Sequence, residues 1–227
     1  ISNLLKNPFF SGIFLRYGFS MDGSRESPQQ IRAKERVELV LRAAQEIMAE
    51  RGYGGLTLSA VCERAKINQT SIYRYWPNQT ALLVSLISFF EDDFQSRIKL
   101  LEEEAFDLPW QEIQKNLLQG LANYGRENPW VYAGLAAVRA DAGIAKRHEQ
   151  TLDFFATRYA HLLKIGGFAV RGEEEARVSR TYVLLLDSFM FAVGRAEGSE
   201  NMISEIIEDY LDVILNYLAP RMQFEDS

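Results

Sequence analysis

AAQEIMAERGYGGLTLSAVCERAKINQTSIYRYWPNQTALL, residues 43–83, decides the fold of this chain. From just upstream and into it, Val37, Val40, Leu41, Ala44, Ile47 and Met48 recur at three- and four-residue steps with charged residues between them. That is the period of an amphipathic helix beginning near Ala33. Gly52 can take the left-handed conformation that closes such a helix. After a tight connection from Tyr53 to Leu56, Thr57 is a good N-cap for a second helix of barely two turns, whose buried stripe is Leu58, Val61, Cys62 and Ala65. Asn68 then opens a third short helix carrying Ile72 and Trp76 on one side, and Pro77 ends it. Three short helices with a brief turn between the second and third are the helix-turn-helix layout, in which the third helix enters a major groove.

Several positions in that layout carry a more specific signal. They are the ERGY helix end at Glu50 to Tyr53, Thr57 opening the second helix, and Ala65 and Ile67 around the turn. To these are added the aromatic string Tyr73, Tyr75, Trp76 before Pro77, and Asn78 capping a fourth helix. In register, they resemble the N-terminal DNA-binding domain of the TetR/AcrR family. The resemblance implies that Gln69, Thr70, Ser71, Tyr73, Arg74 and Tyr75 face DNA, with Thr57, Ser59 and Gln79 beside them. The chemistry agrees: glutamine can pair bidentately with adenine, a threonine methyl can touch thymine, and a tyrosine hydroxyl can donate to phosphate. Ile72 and Trp76 are assigned to packing, which is also the alternative for Tyr73 and Tyr75. Relatives commonly place a lysine where this chain has Gln79, and some have a charged side chain where it has Ser59. Fewer cations imply weaker nonspecific binding and a shallower salt dependence.

The rest of the chain keeps a helical pattern. A fourth helix is expected over about 79–103, with Leu82, Leu86, Phe90, Phe94, Ile98 and Leu101 inward, and a fifth over Trp110 to Glu127. Pro129 starts a sixth that ends around Asp141 to Gly143, and a seventh runs to Ile165. An eighth opens at Glu173 to Glu175 and stops at Gly198, and a ninth fills Glu200 to Leu218. No strand alternation or repeat is visible, so the fold class is all-α with about nine helices. The expected organisation is a flexible extension over 1–30, a DNA-binding domain over 31–78, and a regulatory, ligand-binding and dimerisation domain over 79–220. Residues 8–19 are apolar, aromatic and broken by glycine and proline, without the continuous core of a signal peptide, and Met21 is a plausible start.

Composition narrows the function classes. An apolar fraction of 47% over 227 residues can fill a real core and argues against disorder. The single Cys62 and the separated His148 and His161 offer neither an intrachain disulfide nor a metal-ligand cluster, so a reduced cytoplasmic setting without metal or cofactor is expected. No apolar run reaches the roughly 18–20 residues of a membrane span. The net charge of −6 is segregated: residues 25–80 hold nine Lys or Arg against six Asp or Glu, which is +3 and leaves −9 for the remainder. A basic head on an acidic body suits a DNA reader with a separate regulatory part. No nucleophile–base arrangement, phosphate loop or paired-carboxylate motif argues for an enzyme.

The family resemblance also implies a cavity between helices four and eight for a small apolar inducer. Its candidate lining is Phe90, Phe94, Trp130, Arg139, Phe155, Tyr159, Tyr182 and Leu186, with Arg139, Arg158 or Asp187 as polar anchors and His148 or His161 as further contacts. Helices eight and nine carry apolar residues on more than one face, among them Leu184, Phe189, Phe191, Ile203 and Leu211. That surplus calls for a partner, and in the resembling family it joins two subunits so that two recognition helices meet a palindromic operator. The reading is therefore a homodimeric, ligand-responsive repressor. The rival is a helical small-molecule-binding protein that has lost DNA binding.

Overall fold

The computed structural model describes residues 28–104, 108–138, 140–165, 168–170, 174–196 and 198–224. Nine α-helices are described: α1 (Pro28–Gly55), α2 (Leu58–Ala65), α3 (Gln69–Tyr73), α4 (Gln79–Glu104), α5 (Trp110–Glu127), α6 (Trp130–Ala137), α7 (Ala142–Ile165), α8 (Glu174–Gly194) and α9 (Glu200–Leu218). α1 begins at Pro28, earlier than the apolar periodicity announces, because proline is well suited to a first helical turn. It breaks where expected: Gly52 sits at φ 65°, ψ −171°, outside helical space. The proposed extension falls almost entirely on residues outside those described.

Local capping places the head. The Thr57 hydroxyl accepts from the Ala60 N–H at 3.1 Å, and the Asn68 side chain accepts from the Thr70 N–H at 2.8 Å. Asn78 accepts from the Ala81 N–H at 2.8 Å and starts α4. Between α2 and α3 the chain turns through Lys66 in the left-handed region, φ 54°, and the Ile67 N–H closes back on the Cys62 carbonyl at 3.0 Å. Cys62 is buried, and burial pushes its thiol pKa up, as suits a small core residue. Trp76 is buried where α3 exits, and its indole N–H donates to Ser85 Oγ at 2.9 Å, pinning the recognition helix to α4.

A single core runs from head to body. α1 packs on α2, α4 and α6, while α7 and α8 lie together, and α9 packs on α5 and α8. α6 ends at Ala137, several residues before the expected Asp141 to Gly143, because Asp141 is used to cap α7. A short antiparallel pair, β1 (Phe168–Val170) with β2 (Met222–Phe224), joins the end of α7 to the chain after α9. Its two strands of three residues are too short to show an alternating pattern, which is why the sequence carries no trace of them.

Close approach between α5 and α8 depends on glycine. Tyr132 is wedged so that a Cβ at Gly194 would sit 2.7 Å from Tyr132 Cδ1, and one at Gly125 would collide with the Tyr132 hydroxyl. Gly120, also in α5, has nothing within 4 Å. Gly194→Ala should therefore destabilise the fold by about 1–3 kcal/mol through overpacking, whereas Gly120→Ala should stabilise it by about 0.4–1 kcal/mol. Urea unfolding of both variants checks the opposite signs.

Candidate DNA-binding face and ligand cavity

The recognition helix α3 presents Gln69, Thr70, Tyr73 and the following Arg74 to solvent, with Tyr73 53% exposed. Tyr73 is therefore not a core residue. Gln69 Nε2 donates to Ser59 Oγ at 3.3 Å, so α2 orients the side chain at the start of α3. Arg74 lies along Tyr75, its Nη2 2.9 Å from the phenol oxygen and its Cζ 5.0 Å from the ring centroid. Tyr75 is half-buried and tilted against Trp76 at 5.6 Å, and Ser71 is also half-buried. Thr57 remains exposed while serving as a cap. Arg64 is taken up elsewhere: Nη1 and Nη2 donate to the two oxygens of Glu50 at 2.8 and 2.7 Å, bolting α2 to α1.

Gln79 faces inward. Its Nε2 donates to the Tyr53 carbonyl at 2.7 Å, satisfying an acceptor in the α1–α2 connection. This is the first contact of a joint that sequence reasoning missed. Asp141 Oδ2 accepts from Thr80 Oγ1 at 2.8 Å and from the Tyr53 phenol at 3.1 Å. Its Oδ1 accepts from the N–H groups of Gly143 at 2.8 Å and Ile144 at 3.1 Å. One carboxylate thus ties the end of α1, the start of α4 and the start of α7. The only available signal was an Asp directly before a helix, a cap in any fold.

Farther along, α4 and α7 are joined again. Arg147 meets Glu91 through both nitrogens, Nη1–Oε1 being 2.7 Å, and also reaches Thr151 at 2.9 Å. Beside this bridge is a cavity of about 100 Å³. Leu83, Ile87, Phe90 and Phe94 of α4 line it at helical spacing, and Trp130, Phe155, Leu186, His148 and Asp187 complete its character. Phe155 stands edge-on to Phe90 and Phe94, with centroids 5.9 and 5.0 Å apart. His148 Nε2 lies 3.1 Å from Asp187 Oδ1.

Five of the expected lining residues, Phe90, Phe94, Trp130, Phe155 and Leu186, come together there. Tyr159 and Tyr182 do not line it. They stack 3.6 Å apart, and both hydroxyls donate to Gln114 Oε1, at 3.3 and 2.5 Å. Burial pushes both phenols above the ordinary tyrosine range. Arg158 is exposed over the Phe154 ring, Arg139 lies outside the described residues, and the His161 side chain is likewise outside them.

Residues 40–86 match the family profile described as bacterial regulatory proteins, tetR family. The chain carries the tetR-family domain. That domain spans α2, α3 and their flanks, the elements whose caps and exposed face are set out above. The HTH-type transcriptional regulator YuxN of Bacillus subtilis is 27% identical over 84 residues, covering 37% of this chain but 28% of that protein. Nucleoid occlusion factor SlmA of Haemophilus influenzae is 24% identical over 165 residues, 69% of this chain and 75% of SlmA. In fold, the chain is similar to the FadR transcriptional regulator of Bacillus subtilis, solved in complex with stearoyl-CoA, at TM-score 0.61 and 16% identity over 79% of this chain and 98% of that one. Among the described residues, no helix is long and apolar enough to cross a membrane and no three metal-ligating side chains group together.

The Asp141 joint has a pH signature. The Thr80 hydroxyl first, then the Ile144 N–H and the other donors, hold its carboxyl below the usual carboxylate range. A carboxyl with a depressed folded-state pKa stabilises the fold at pH above its unfolded value, near 4, and loses that contribution as the pH falls through the folded value. Thr80→Val should lower the melting temperature at pH 7, and the gap to wild type should narrow as pH falls below about 4. Calorimetric melts across that range check it.

Proposed function

We propose that the chain is a ligand-responsive transcriptional repressor that binds a palindromic operator as a homodimer and is released by a small apolar inducer. The observation that carries this reading is the pairing of a tetR-family head, with Gln69, Thr70 and Tyr73 exposed on α3, with an apolar cavity walled by the helices that the head is tied to. The stearoyl-CoA complex of a regulator with a similar fold supports a ligand in the body. DNA contact is assigned to Ser59, Gln69, Thr70, Tyr73 and Arg74 as direct readers, with Thr57, Ser71 and Tyr75 supporting the helix. Gln79 belongs to the joint.

Asp141 is the proposed coupling element. A ligand that spreads α4 from α7 strains the Thr80 and Tyr53 contacts, and these lead straight to the end of α1 and the link into α4. The inducer releases DNA only as far as it prefers the DNA-incompatible arrangement, and DNA weakens inducer binding by the same factor.

The proposed dimer surface uses only part of the apolar surplus on α8 and α9. Phe189, Met190 and Val193 are buried within the protomer, so part of the apolar surplus on α8 serves its own core. Leu184 on α8 and Met202 and Val213 on α9 remain 45–50% exposed, which supports a self-association face there. Leu184→Asp with Val213→Asp should yield a folded monomer in sedimentation at micromolar concentration. Unchanged dimers, or a monomeric wild type, would place the interface elsewhere.

Selection from randomised DNA supplies the operator. On it, Gln69→Ala and Tyr73→Ala should each weaken binding by about 1–3 kcal/mol at fixed salt without loss of helicity. Failure to select any sequence would favour the rival reading, a binding protein that has lost DNA.

A further inference from the structure

The cavity is apolar except for His148, Thr151 and Asp187. His148 Nε2 lies 3.1 Å from Asp187 Oδ1. The carboxylate oxygens of Asp187 accept hydrogen bonds and donate none. Thr151, the other polar side chain in the lining, is already occupied: it accepts from Arg147 and donates to the Arg147 carbonyl at 3.1 Å. The lining also holds an unsatisfied donor, the Trp130 indole N–H, in a residue 5% exposed and without a partner. A buried N–H left unpaired in a native interior is uncommon and marks a place where something else bonds.

From this arrangement we propose that the cavity selects a small aromatic ligand bearing a hydroxyl, which the His148–Asp187 pair grips by accepting its proton in a hydrogen bond. The proposal rests on the reading of the cavity as a ligand site and names the class that fits it. Phe90, Phe94, Phe155 and Trp130 supply ring faces and edges for an aromatic body. The volume, about 100 Å³ against about 150 Å³ for an apolar cavity that accepts benzene, limits the aromatic body to at most a single ring. A hydroxyl can donate to the pair and accept from an indole N–H, whereas a methyl group can do neither. A ligand carboxylate would meet the like charge of Asp187.

Phenol, toluene and benzoate differ in that one group and serve as ligands for calorimetric titration of the full chain. Phenol should bind about tenfold or more tighter than toluene, the size expected for a hydrogen bond to a charged group, and benzoate should bind least. The preference for phenol should disappear in the double variant His148→Phe, Asp187→Leu, which replaces the pair with apolar side chains. A second measurement needs no variant: the chain has two histidines, so the His148 ring nitrogens can be followed by NMR and should shift with phenol but not with toluene. Equal binding of phenol and toluene, tighter binding of benzoate, no binding by any of the three, or a silent His148 resonance would overturn the proposal. Operator affinity separates it from the functional reading. Phenol held by His148 and Asp187 with DNA binding unchanged keeps the selective pair and removes the regulatory role.

Discussion

One carboxylate, that of Asp141, holds the head to the body. It takes four hydrogen bonds from groups on the end of α1, the start of α4 and the start of α7. A negative side chain at the N-terminus of α7 also faces the positive end of that helix's dipole, so one charge both caps the helix and draws in the two hydroxyls. The continuous packing of α1 on α6 and α4 then makes the head an extension of the body's core and not a tethered bead.

The second tie, Arg147 to Glu91, has a different character. Its side chains are 17% and 12% exposed, and removing either partner of so shielded a pair would leave the other charge poorly solvated. Both ties lie near the start of α7, at Asp141 and Arg147, and reach α4 at Thr80 and Glu91. The α7 residues that line the cavity, His148, Thr151, Leu152 and Phe155, all follow Arg147.

Much of the fold was legible because its signals are local. Thr57, Asn68 and Asn78 cap as their chemistry dictates, Gly52 breaks α1, and Leu82 and Leu86 are buried as a 3.6-residue period requires. What escaped depends on partners distant in sequence. Gln79 could be read as a missing phosphate contact because nothing nearby reveals that its amide meets the Tyr53 carbonyl. Tyr159 and Tyr182 have the composition of pocket residues, and only three-dimensional packing shows that Gln114 satisfies both hydroxyls inside the core. The apolar excess on α8 was real, but a count of apolar residues does not divide them between a protomer's own interior, as for Phe189, and its outer face, as for Leu184.

The void in the body bears on how long the molecule lasts. Packing forgone around a cavity lowers the stability of a fold. Cellular abundance changes several-fold for differences of about 1–2 kcal/mol, because proteases and chaperones act on the opened fraction. Any guest that occupies the space raises stability by mass action. Under the proposed ligand-binding role, the number of copies that survive in the cell becomes a second, slower record of how often the cavity is full.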